Sequence, residues 1–403
     1  MFKIDNTTLS GMKDTVDVPE GISTIGKSAF KECQWIRNVK FPETLGYIKE
    51  CAFYHCTSLE AVDFPDSIRR IGNYAFSGCT SLKRVIIPEG VETIGAFAFA
   101  GCLSLEEIFL PSTLTDISYD AFIDCISLTR VSVSPSNPEM SSDGVAIFNK
   151  DKTVLLFLPA GCDDYTIPNS VTYISESACQ GCVKLKNISI PDSVKVIDWD
   201  AFEGCVSLEK VSVPPQVKSI GKSAFKDCMS LSDVIIPSSV ESIEAHAFSG
   251  CSSLEKINIP SVKAIGEGAF ADCISLRDVE LSDKLSVLEQ DVFNRCIALE
   301  SIDLKNVKNI FKGAFWKCSR LKSITMKKVS VGGVLSSAFT QCSSLKSAGI
   351  IADKAVVDKI TKDRSITDYH YHLFIGWEPM SELVEKKSNI LKGVWKDYLK
   401  KNI

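Results

Sequence analysis

The 403-residue sequence predicts an α/β-type repeat solenoid of about thirteen coils, and three observations carry that expectation. A unit of roughly 23 residues recurs along most of the chain. It is clearest at Pro88–Leu105 (PEGVETIGAFAFAGCLSL) and Pro237–Leu254 (PSSVESIEAHAFSGCSSL). One cysteine recurs per unit: Cys33, Cys56, Cys79, Cys102 and Cys125, then Cys182, Cys205, Cys228, Cys251, Cys273, Cys296, Cys318 and Cys342. Proline and turn residues punctuate each unit at fixed offsets, so every copy changes direction at the same places.

Within a unit the elements follow in order. The segment L-x-x-V-x-I, as in Leu82 to Ile87, ends with the alternation of a half-buried strand. Pro88 has no N–H to give a ladder, so it closes that strand. Val91 and Ile94 turn two more apolar side chains inward, and Gly95 lets the backbone bend. The spacing of Ala98, Phe99 and Cys102 predicts a short helical or 3₁₀ turn with Phe99 and Cys102 on one face. Leu105 opens the next coil. About seven inward side chains per coil cannot be buried by one coil alone, and stacking buries them. A parallel sheet on one face and a rod or arc on the order of 60 Å long follow from a strand spacing of about 4.8 Å.

The pattern P-x-x-V-x-x-I-x-x-x-A-F-x-x-C-x-x-L over Pro19 to Ile350 resembles the BspA-type (Treponema pallidum-like) leucine-rich-repeat family of bacteria and some protozoan parasites. The resemblance implies a right-handed leucine-rich-repeat array. It also implies a place among proteins often exposed on cell surfaces, some of them adhesins.

Between Cys125 and Cys182 the repeat is interrupted. Asp143-Gly144 and Asn149–Lys152 are turn chemistry beside alternating apolar residues, so the sequence predicts a β-hairpin within about 134–164, the repeat resuming at Tyr165-Thr-Ile-Pro168. The expected organisation is an N-terminal cap over 1–18, the solenoid over 19–350 and a helical C-terminal cap over 351–403. In that cap Ala355–Thr361 reads as a short helix. Met380–Leu399 carries apolar residues at helical period, suited to covering the last coil.

Composition narrows the function. The net charge of −5 and the lack of a Lys/Arg-rich stretch argue against nucleic-acid binding. No apolar run is long enough for a transmembrane helix. The first twenty residues show no signal segment, which predicts a cytoplasmic protein; the alternatives are a removed signal or a non-classical route to the cell surface. Stacked cysteines at strand spacing are close enough for disulfides, but each has two equal neighbours and their number is odd. Free thiols packed as small hydrophobes in a reducing compartment are the expectation.

Catalytic and metal chemistry finds little support. Cys179-Gln-Gly-Cys182 is a C-x-x-C, yet Cys179 stands where other repeats carry phenylalanine, and no second pair completes a zinc site. His370 and His372 lack a third ligand. No nucleophile elbow, P-loop or dinucleotide motif is present, so neither an enzyme nor a cofactor is expected.

The residues flanking the strand valine point outward, and those columns are mostly polar. Ile86 and Phe109 break the pattern in neighbouring coils, flanked by Arg84, Glu107 and Arg130. An aromatic and an isoleucine rimmed by arginines have the composition of a protein-binding hot spot. The sequence therefore predicts a non-catalytic scaffold holding an unidentified protein partner on its sheet face. A surface adhesin for host matrix or cell-envelope ligands is the alternative. The adjoining hairpin raises the opposite expectation for the patch itself, that Ile86 and Phe109 are covered.

Overall fold

A computed structural model describes residues 14–325 and 336–345 of the chain. The helical cap expected over 351–403, with His370 and His372, and the first thirteen residues of the expected N-terminal cap lie outside the described residues. The first rung of the array, Thr15–Asp17, falls within the 1–18 segment and pairs with Asn38–Lys40.

Each coil contributes two strands rather than one. The first is the x-V-x segment, such as Arg84–Ile86, whose outer residues face solvent while Val85 is buried. These strands stack in parallel and in register, Val39 on Val62, Val62 on Val85, Val85 on Ile108 and Ile108 on Val131. The second strand lies in the V-x-x-I segment, such as Thr93–Ile94, and builds its own parallel ladder: Ile25, Ile48, Ile71, Ile94 and Ile117 follow one another. The array therefore has two parallel ladders enclosing the core, where the sequence predicted one. The sequence hid the second because its apolar residues, Val91 and Ile94, are three apart and do not alternate.

The turn carrying Ala-Phe and cysteine also departs from expectation. Among the described residues there is no α-helix, and only Tyr119–Phe122 and Ser336–Phe339 form 3₁₀ turns. The backbone explains this. Phe97 and Gly101 are both left-handed (φ 57° and 67°), which breaks a right-handed helix on either side of Phe99. Amides then alternate between partners. Ala98, Ala100 and Cys102 donate to carbonyls three residues back, whereas Phe99 and Gly101 donate to Ala121 and Ile123 of the next coil. The turns are thus stitched coil to coil as the strands are.

The phenylalanines stack through the core. Phe30, Phe53, Phe76, Phe99 and Phe122 run with ring centroids 5.0–5.7 Å apart. A second run joins Phe202, Phe225, Phe248, Phe270, Phe293, Phe315 and Phe339 at 5.2–5.6 Å. Phe157, supplied by the insertion, closes the end of the first stack, its ring tilted by 53° against Phe122 at a centroid distance of 5.9 Å.

The insertion is a three-stranded antiparallel meander, Met140–Ser142, Ile147–Asn149 and Val154–Phe157. Its last strand pairs in parallel with Tyr173–Ile174, so the meander rejoins the second ladder. It also divides the core. Met140, Ile147 and Phe157 pack with the coils before it, and Ala146, Phe148 and Leu155 with those after it. Asn137, fully buried, fixes its start. Its Nδ2 donates to the Pro111 and Leu114 carbonyls (2.9 and 2.8 Å), and its Oδ1 accepts from the Glu139 and Met140 amides (3.0 and 2.8 Å).

Candidate functional site: the exposed face of the first ladder

The five residues singled out from the sequence come together on one face. The strands Arg84–Ile86, Glu107–Leu110 and Arg130–Val133 are consecutive rungs. Register sets Arg84 beside Glu107 and Glu107 beside Arg130. In the next column Ile86 lies beside Phe109, and Phe109 beside Ser132. Strand alternation points all of them away from the core that holds Val85, Ile108 and Val131.

Ile86 is 49% exposed and Phe109 41% exposed with the meander in place. The expectation that the insertion covers them therefore fails. The meander instead seals the edge of the last rung, where Ser142 Oγ donates to the Val131 carbonyl at 2.9 Å. Beyond it, Asp143 Oδ2 accepts from the Tyr165 hydroxyl at 2.6 Å, tying the hairpin turn to the resumed ladder.

Electrostatics on this face are local and self-neutralising. Arg130 Nη2 lies 3.3 Å from Glu107 Oε2, an exposed pair that contributes little stability. Arg84 stands in register with Glu107 but closes no ion pair among the described residues, so its guanidinium is open to a partner. The same alternation of sign recurs later, where Lys210 is in register with Asp233 and Lys256 with Asp278. Next to Asp233 lies Ile235, 59% exposed and in register with Ser212. The sequence column contained Ile235, but it has no apolar neighbour there and so was not singled out.

The cysteines do not form a reactive centre. All sixteen are free, and from Cys56 onward each column thiol donates to a carbonyl of the preceding coil at 3.0–3.3 Å. Burial pushes the Cys179 thiol well above its ordinary range, and its side chain is fully buried where the phenylalanine column passes. Its carbonyl accepts the Cys205 thiol at 3.1 Å, the role phenylalanine carbonyls play elsewhere. The C-x-x-C is thus one substitution in a structural column. Among the described residues no group of three or more His, Cys, Asp or Glu could hold a metal, and no helix is long and apolar enough to cross a membrane.

Together, stacked coils with a leucine, a proline and a cysteine at fixed places and a preformed outer ladder define a leucine-rich-repeat solenoid. The BspA type leucine rich repeat region is matched over residues 6–129, 157–262 and 247–361. The chain belongs to this family. Similar solved structures include a leucine-rich repeat protein from Eubacterium ventriosum (27% identity, 75% of this chain and 82% of that one, TM-score 0.68). Another, from Bacteroides ovatus, is 25% identical over 91% of this chain and 92% of that one, with a TM-score of 0.59. The pneumococcal vaccine antigen PcpA shares the fold at 21% identity, covering 94% of this chain and 83% of its own, with a TM-score of 0.60. No curated protein is similar enough to count as a match.

Proposed function

We propose that the protein is a non-catalytic interaction scaffold that holds a protein partner on the first-ladder face, around Arg84, Ile86, Glu107, Phe109 and Arg130. The observation that carries this reading is the register of Ile86 and Phe109, an exposed aliphatic and an exposed aromatic side chain on adjacent rungs. Their backbone is locked on both sides by ladder hydrogen bonds, so a partner meets a surface that loses little freedom on binding. The charges at the rim set orientation, and the apolar pair supplies the desolvated centre. The repeat family, whose members generally act as interaction scaffolds, supports the same class of function. Unpaired thiols held by carbonyl acceptors suit a reducing compartment, and the cytoplasm is the address that fits this reading.

A pull-down from the protein's own cell lysate and from host matrix, with wild type beside an Arg84/Ile86/Phe109/Arg130→Ala variant, tests it. The proposal expects a partner retained by the wild type and lost by the variant. Equal recovery by both, or recovery by neither, overturns this placement of the binding face.

A further inference from the structure

We propose that the occupant of the Ile86–Phe109 patch is a second copy of this chain, docked face to face in a two-fold dimer whose axis passes between the rungs of Arg84 and Glu107. This partner is assigned to the protein-binding face proposed above and rests on that reading. Charge on the face is banded rung by rung once the residue before each strand is included. Those residues stack as the strands do, the amides of Glu60, Lys83 and Glu106 donating to the carbonyls of Arg37, Glu60 and Lys83. Arg37 and Lys40 make the rung of Asn38 positive, and Glu60 and Asp63 make the next one negative. Lys83 and Arg84 follow, then Glu106 and Glu107. Arg130 makes the fifth rung positive, and Asp163 and Asp164 make the sixth, just after the meander, negative. All of these side chains are exposed.

A face banded in this way is complementary to itself under one operation. In two copies that meet with their strands parallel and their coil order reversed, each column faces the same column of the other copy. With the axis midway between Arg84 and Glu107, Lys83 and Arg84 face Glu106 and Glu107 of the other copy. Glu60 and Asp63 face the rung of Arg130, and Arg37 and Lys40 face the rung of Asp163 and Asp164. Positive rungs oppose negative ones throughout, and the symmetry makes each contact twice. The same axis sets Ile86 of each copy opposite Phe109 of the other. These are the large exposed apolar side chains of the six rungs, and they straddle the point about which the charges invert. A foreign partner would need no such coincidence.

Repulsion fixes the register as firmly as attraction does. A slip of one rung sets Glu60 and Asp63 on Glu106 and Glu107, or Lys83 and Arg84 on Arg130. An axis running along the array sets every rung on itself. Within one chain Arg37 pairs with Asp14 and Glu60, Lys40 with Asp17, and Arg130 with Glu107, at 3.1–3.9 Å. Each of these pairs is exposed and weak, so its charges are free to be shared with contacts across the dimer. Six rungs at about 4.8 Å by three columns cover roughly 25 Å by 10 Å, the small end of specific interfaces. The dimer is accordingly weak and reversible.

The test is sedimentation equilibrium of the purified full chain from roughly 1 to 200 μM. Wild type, Arg84→Glu, Glu107→Arg, an equimolar mixture of those two variants, and Lys210→Glu are compared. Arg84→Glu sets like charges opposite Glu107 at both symmetric contacts, and Glu107→Arg does the same to Arg84. Each alone therefore weakens self-association by about tenfold or more. In the mixture opposite charges meet again at both contacts, and dimers return to wild-type strength. Lys210→Glu, on the same ladder outside the six rungs, dimerises as wild type does. A monomeric wild type, unchanged association of either charge-reversed variant alone, an equal loss with Lys210→Glu, or a mixture no stronger than its components overturns the dimer. A foreign protein at the same face is decided separately, by the pull-down above.

Discussion

The Cys102 thiol donates a hydrogen bond to the carbonyl oxygen of Phe76 at 3.3 Å, reaching from one coil to the one before it. That carbonyl also accepts the amide of Cys79 in its own coil. Repeated along the array, the contact gives each cysteine two functions: it fills space beside the phenylalanine stack and satisfies a carbonyl that faces the apolar interior. Burial in the apolar interior favours the neutral form of the Cys102 thiol.

Alkaline pH should therefore unfold the protein. Burial pushes the thiols of Cys56 and Cys342 up to about 12 and that of Cys162 up to about 11, and raises Cys79, Cys251 and Cys296 well above the usual range. A thiol whose folded pKa is raised contributes stability that is fully present below its unfolded pKa, near 9. That stability is lost as pH climbs toward the folded value, because the unfolded chain releases the proton first. Each such thiol removes about 1.4 kcal/mol per pH unit in that window. Denaturant midpoints should be level up to pH 8 and fall steeply between about 9 and 12. A midpoint independent of pH across that window would contradict the account.

The phenylalanine stack should behave as the spine of the core. Phe99 is fully buried between Phe76 and Phe122, with centroids at 5.4 and 5.7 Å. Phe99→Ala and Phe225→Ala should each cost roughly 3–5 kcal/mol through lost transfer energy and the cavity left behind. Chemical denaturation of the two variants gives the number, and a loss below about 1 kcal/mol would mean that neighbouring coils collapse into the gap.

Much of this core is legible in the sequence, and the reasons the rest is not are specific. Val85 between Arg84 and Ile86 alternates, so the first ladder shows itself, as does the outward patch at Ile86 and Phe109. The second ladder does not, since a two-residue strand such as Thr93–Ile94 is too short to carry a period. The Phe99–Cys102 spacing resembles a helix because nothing in the residue type announces that Phe97 adopts a left-handed backbone.

Asn137 is a single residue in an irregular segment and carries no pattern at all, yet it makes four hydrogen bonds at the start of the meander. Asn137→Ala would leave two buried carbonyls and two amides without partners. The expected cost is about 3–5 kcal/mol, from several unsatisfied groups at roughly 1–3 kcal/mol each with partial relaxation. Thermal melts with Asn137→Ala should also show earlier proteolytic cleavage within 134–164. A melt like the wild type's would remove Asn137 from its anchoring role.

Lys152 offers the opposite case. It sits in the second meander turn with φ 54°, a left-handed conformation that costs a side-chain-bearing residue about 1–2 kcal/mol. Lys152→Gly relieves that strain and gives back part of the gain through the greater freedom of glycine in the unfolded chain. A net stabilisation of about 0.5–1 kcal/mol is expected, read as a higher denaturant midpoint.

The measurement that tests the binding face most directly is site-specific photo-crosslinking in living cells, with the photoreactive residue placed at Phe109, at Ile235 or at Tyr47 on the second ladder. The account predicts a discrete protein adduct from position 109, weakened by Arg84→Ala and missing from position 47. Adducts of the same identity and yield from all three positions, or none from 109, would contradict it.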